Sequence, residues 1–204
     1  NSIITFAENP CMLNKNQLTI LSIFTLFGFS AIGYFILSFS NEFDYASIFD
    51  AETPFLDIIY GLVGGSLFAG LGLLILQIPA LKKVGEFYSQ IFNKIDLTWP
   101  DILFYSFCAG VGEEILFRGA IQPFVGIWVT AAIFVLLHGY ISFKNLPKSL
   151  YGIFLIGIAA GFGYAYEYLS IFTAMAAHFI YDVIMFSYLK SSAKPKEHQN
   201  SAGE

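Results

Sequence analysis

Long uncharged runs separated by short polar stretches organise this chain, and their lengths suit membrane crossings. A helix needs about 20 apolar residues to cross a hydrocarbon core. Six segments are read as spans: 17–40, 58–81, 102–121, 126–143, 150–166 and 170–189. The first is too long for the core of a secretory leader and lacks a cleavage signal, so it is read as a retained span. Residues 84–101 have a different pattern. Phe87, Ile91 and Ile95 recur at helical spacing among polar residues, which predicts an amphipathic helix lying along the membrane surface. Residues 190–204 read as a flexible polar tail.

The lysines test this layout. Lys15; Lys82, Lys83 and Lys94; Lys144 and Lys148; and Lys190, Lys194 and Lys196 all fall on one side of a six-span arrangement. The opposite loops hold no lysine, and the first carries Glu42, Asp44, Asp50, Glu52 and Asp57. An odd number of spans would break the segregation. The positive-inside rule then places both termini in the cytoplasm.

Composition agrees: 56% of the 204 residues are hydrophobic and 12% charged, with a mean hydropathy of +0.67. A soluble domain of this size needs more charge to cover its surface. The expectation is an all-α, polytopic membrane helical bundle of about six transmembrane helices, forming one integral domain in a cell membrane. No basic footprint for nucleic acid is present. Cys11 and Cys108 lie far apart, which excludes a disulfide framework or zinc knuckle. Small-xxx-small pairs at Gly61/Gly65, Ser66/Gly70 and Gly157/Gly161 predict close packing of helices within the chain. Nothing in the pattern reports an oligomeric state.

Six ionisable residues remain inside the predicted spans: Glu113, Glu114, Arg118, His138, His178 and Asp182. Each costs at least about 2.5–3.5 kcal/mol near a bilayer centre, so such groups mark function by default. Glu114 and Arg118 are four apart and can pair on one helix face, while Glu113 is turned about 100° away. Ala109 and Gly110, one turn earlier, leave room beside Glu113. Phe134 and His138 share a face of the next span. His178 and Asp182 are one turn apart, so the carboxylate can fix the imidazole tautomer. Counting about 1.5 Å per residue puts Glu113, His138, His178 and Asp182 in the middle third of the membrane. For His138 this requires its helix to continue to Phe143.

A carboxylate with two histidines in a shielded cavity suits activation of water against a carbonyl compound. Two histidines and a glutamate are also a zinc-ligand set, so a metal-assisted route stays open at this point. No serine or cysteine nucleophile with a partnered base, and no phosphate-binding loop, offers another chemistry.

The ordered set Glu113-Glu114-xxx-Arg118, Phe134-xxx-His138 and His178-xxx-Asp182 resembles the CPBP family. It comprises type II CAAX prenyl endopeptidases and prokaryotic Abi-like relatives linked to bacteriocin processing and immunity. Phe117-Arg118-Gly119 and Gln122-Pro123 also look like family features, and the resemblance covers roughly residues 101–189, the expected protease core. It implies an intramembrane glutamate peptidase acting on a membrane-associated peptide or protein, prenylated or not, without an obligatory metal or other cofactor. Glu113 would activate water with His138, and His178 would stabilise the oxyanion with the residue four positions on. The prenyl endopeptidases have asparagine there, whereas this chain has Asp182, which is therefore read as an orienter of His178. Two further classes compete with the peptidase: a non-catalytic immunity or scaffold protein retaining the constellation, and a transporter or proton relay. Charges bunched at one depth count against transport, which needs a polar path to both faces.

Overall fold

The computed structural model describes residues 14–40 and 43–192. Cys11, Lys194 and Lys196, and the part of the predicted tail beyond residue 192, lie outside them. The described chain is all-helical, a polytopic membrane bundle, with α1 (Lys15–Ser38), α2 (Pro54–Leu76), α3 (Lys82–Ile95), α4 (Trp99–Glu114), a π-helical turn (Ile115–Ile121), α5 (Gln122–Val125), α6 (Ile127–Leu137), α7 (Leu146–Tyr168) and α8 (Ile171–Ser191). Helices α1, α2, α7 and α8 are each long and apolar enough to cross a membrane. Helices α1, α2 and α7 also expose large apolar side chains, such as Ile20 and Phe27 on α1 and Leu67 and Leu74 on α2. An apolar exterior of that extent suits lipid rather than water.

Local chemistry sets the helix starts. Asn14 and Gln17 form a reciprocal capping box at α1, and Thr98 and Asp101 do the same at α4. Ser170 accepts the Thr173 N–H at α8, and Asn145 accepts the Lys148 N–H at α7. Lys15 Nζ lies 2.6 Å from Asp101 Oδ2, tying the starts of α1 and α4 together.

Helix α8 is the hub, packed against α2, α4 and α7. Its approach to α2 depends on missing side chains. A Cβ at Gly61 would meet the Thr173 carbonyl and the Ala176 methyl, and one at Gly65 would meet the Ala177 backbone. This is the close intramolecular packing expected of that pair. Gly161 receives the Phe68 ring instead, and Gly70 and Gly157 face open space. Gly65→Ala is therefore expected to lower stability by about 1–3 kcal/mol, because rigid backbone cannot yield. Gly64→Ala, with nothing within 4 Å, should be neutral or better. Thermal unfolding of both variants in micelles checks the contrast.

Two expected elements differ. The span proposed for 126–143 is helical only to Leu137, with His138 as the C-terminal cap residue. Gly139 follows at φ 70°, a left-handed conformation that only glycine adopts without strain and that ends a helix. Asn145 then caps α7, which starts at Leu146, four residues earlier than residue 150. From the first turn of α7, Ser149 Oγ donates to the carbonyl of Ser142 in the intervening loop and accepts the Ser142 N–H. Helix α3 is amphipathic as expected but shorter, ending at Asp96 in the left-handed region. It buries Val84 and half-buries Tyr88 and Phe92, so it leans over the bundle interior as well as lying on it.

Candidate active site

Glu113 and Glu114 close α4 where it widens into the π-helical turn. One turn earlier, a Cβ at Gly110 would sit about 3.0 Å from the Met175 carbonyl and the Phe179 nitrogen. The space expected beside Glu113 at Gly110 is thus filled by the α8 backbone. The missing side chain serves close approach, and that approach sets the glutamates against His178. Only Ala109 borders open space, lining the cavities on either side of Glu113.

Glu114 is wholly buried and Arg118 is 1% exposed. Arg118 Nη1 donates to Glu114 Oε1 at 2.9 Å, the pair expected from their spacing. The same oxygen lies 2.7 Å from His178 Nδ1. A carboxylate only accepts, so Nδ1 carries a proton and the ring presents Nε2 to the cavity. This corrects the role expected of Asp182. Its Oδ2 is 3.6 Å from Nε2, too far for a hydrogen bond, so Glu114 and not Asp182 orients the imidazole. Spacing along α8 favoured Asp182; only packing of α4 on α8 brings Glu114 in.

Arg118 makes further contacts that spacing could not reveal. Its Nη2 donates to the Ala159 carbonyl at 2.9 Å, and Gln122 Nε2 donates to the Gly163 carbonyl at 3.1 Å. The π-helical turn and the start of α5 are thereby clamped to α7 at two successive turns. π-helical turns recur at functional sites. The guanidinium lies 4.9 Å from the Phe134 ring centroid and 5.8 Å from that of Phe162, within cation–π range. Phe162 also stacks on His178 at 5.4 Å, and Phe134 packs on His138 at 4.3 Å. Phe162 carried no sequence signal beyond its place in an apolar helix.

His138 is held differently. Its Nδ1 is 2.7 Å from the Phe134 carbonyl, which can only accept, so Nδ1 donates and Nε2 faces inward. That atom lies 3.6 Å from Glu113 Oε2, and His178 Nε2 lies 3.9 Å from the same oxygen. The His138 side chain is 34% exposed, because the helix stops there. It meets Glu113 from a helix end rather than from mid-helix. The six candidate residues therefore come together, with Glu113, His138, His178 and Asp182 lining a cavity of about 220 Å³ and Glu114 and Arg118 behind them.

Distances of 3.6–3.9 Å are too long for direct hydrogen bonds and of the size that one intervening atom bridges. Buried Glu113 Oε2 makes no hydrogen bond to the described residues. Among those residues, no group of three or more His, Cys, Asp or Glu side chains converges closely enough to hold a metal ion.

Residues 95–184 match the family model described as type II CAAX prenyl endopeptidase Rce1-like. The segment is similar to that family over these 90 residues. All six candidate residues lie inside the Rce1-like segment, and α1 and α2 lie outside it. Over 101 residues the chain is 36% identical to "Uncharacterized protein YpbD" of Bacillus subtilis (strain 168), covering 49% of this chain and 50% of that protein. The chain thus spans about half the length of this curated relative. No solved structure matches it. The apolar helices make this an integral membrane protein, and its segment 95–184 is similar to a family of membrane peptidases.

Proposed function

We propose that this chain is an intramembrane endopeptidase that hydrolyses a peptide bond of a membrane-associated substrate through glutamate-activated water. The observation that carries the reading is the approach of His138 Nε2 and His178 Nε2 to Glu113 Oε2, at 3.6 and 3.9 Å, at the wall of a cavity, inside a segment that matches a peptidase family.

In this reading water sits against Glu113, which takes one proton as the oxygen attacks the carbonyl carbon. His138 accepts the second hydrogen bond of the water and fixes its direction. His178, as an imidazolium among the carboxylates of Glu113, Glu114 and Asp182, donates Nε2–H to the developing oxyanion. Collapse of the tetrahedral intermediate breaks the C–N bond, and the proton on Glu113 passes to the leaving amine. Glu114 and Arg118 are positioning residues, since they hold the ring of His178 and the π-helical turn. The lysine asymmetry supports a cell-membrane protein with both termini in the cytoplasm.

The test is a comparison of membrane peptides from cells making the wild-type chain and cells making an inactive Glu113→Gln chain. Peptide termini that appear only with the wild type are expected. Identical termini in both, with the phenotype of the chain retained, would establish the non-catalytic immunity or scaffold role instead.

A further inference from the structure

Two cavities meet at Glu113, and their walls differ. One, of about 280 Å³, runs between α1, α3 and α4 and is bounded by apolar side chains such as Leu18, Leu21, Ile91 and Ile95. The other is the 220 Å³ cavity holding the histidines. Both border on Ala109, Glu113, Phe92 and Phe186. Phe92 and Phe186 pack against each other with centroids 5.0 Å apart and planes tilted by 42°. A peptide drawn across Glu113 would therefore place residues on its two sides in different surroundings.

The histidine cavity contains a cluster that the hydrolytic chemistry leaves unused. Tyr88 of α3, Tyr140 of the loop after α6, Tyr151 of α7 and Tyr181 of α8 all line it. The rings of Tyr88 and Tyr140 are 5.7 Å apart, and those of Tyr140 and Tyr151 are 6.0 Å apart. Four separate elements thus bring tyrosine to one chamber. Asp182 lies on its wall, close enough to interact electrostatically with Tyr140, Tyr151 and Tyr181.

No lysine or arginine lines this chamber among the described residues. Arg118 is spent on Glu114 and the Ala159 carbonyl. Among the described residues Asp182 has one ionic neighbour within 4 Å, His178 at 3.6 Å, and its side chain stays 14% exposed. Aromatic faces are electron-rich, and several of them around a carboxylate form the surroundings in which ammonium groups are held. The volume is far beyond the ~10–15 Å³ that one water occupies, and suits a long side chain. An aliphatic side chain would gain nothing from Asp182 and would displace water from its carboxylate without offering a hydrogen-bond donor in exchange.

We propose that the chamber walled by Tyr88, Tyr140, Tyr151 and Asp182 is a subsite for a cationic substrate side chain, lysine or arginine, next to the Glu113 centre. The assignment rests on the hydrolase reading for its meaning, but it can be measured without cleavage.

The experiment uses the full chain with Glu113→Gln in nanodiscs and a set of acetylated, amidated apolar hexapeptides. They differ at one position, placed at each site in turn, as lysine, norleucine or glutamate. The lysine peptide is expected to bind about tenfold tighter than its norleucine twin at one register, with glutamate weakest. Adding Asp182→Asn should bring the lysine-to-norleucine ratio close to one. Should that variant not fold, Tyr88→Leu on α3 should reduce the ratio several-fold. Equal binding of lysine and norleucine at every register, absence of lysine-peptide binding, or a preference that survives both substitutions overturns the proposal. Cleavage by the wild-type chain is scored separately. A preference without cleavage removes the hydrolase and keeps the cationic subsite, whereas cleavage without a preference removes the subsite alone.

Discussion

Glu113→Gln is expected to reduce peptide cleavage by about 10²–10⁴-fold while leaving the protein folded. Glutamine keeps the shape and polarity of the side chain but cannot take a proton from water. Its structural cost should be small, because the ionic neighbours of Glu113 lie at 3.6 and 3.9 Å and no direct hydrogen bond is lost at Oε2. Stability should change by less than about 1 kcal/mol. Initial rates on a cleaved membrane peptide, with thermal unfolding of the same preparation, check both halves. A variant that keeps a substantial part of the activity would assign the base elsewhere. A variant that unfolds would make Glu113 a structural residue.

The opposite outcome is expected at Arg118. Arg118→Leu strands the carboxylate of Glu114, which is wholly buried and would keep only His178 as partner. Removing one member of a buried ion pair costs about 3–5 kcal/mol. The bond to the Ala159 carbonyl and the place between Phe134 and Phe162 are lost as well. Changing both residues, Glu114→Gln with Arg118→Met, should recover part of the loss, since no buried charge is then unpaired. Activity should not recover with it, because His178 loses the anion that orients its ring. Thermal unfolding in micelles reads the first effect and cleavage rate the second. A single variant as stable as the wild type would show that the pair contributes little to the fold.

The two residues separate because of what surrounds them, and most of that was not readable along the chain. Hydrophobic run length was enough to predict an all-helical membrane protein. Spacing was enough to select Glu113, Glu114, Arg118, His138, His178 and Asp182, because an ionisable group in an apolar run needs a reason to be there. The pair between Glu114 and Arg118 was legible for the same cause: a helix makes positions four apart neighbours whatever else the chain does.

Contacts between helices follow no such rule. That Glu114 rather than Asp182 holds His178 depends on how closely α4 approaches α8, which Gly110 permits but does not announce. Arg118 and Gln122 find backbone carbonyls of α7, and every residue has a carbonyl, so no pattern marks Ala159 or Gly163. The end of α6 at His138 follows from the left-handed Gly139, and an isolated glycine in an apolar run is read equally well as a packing contact. Tyr88, Tyr140, Tyr151 and Tyr181 lie far apart in the sequence and form one wall only after four elements fold together. Periodicity and burial cost act along one helix, and so the sequence by itself determined the helical membrane class and the candidate ionisable residues. Which atoms meet depends on packing between helices, and that was decided by tertiary structure alone.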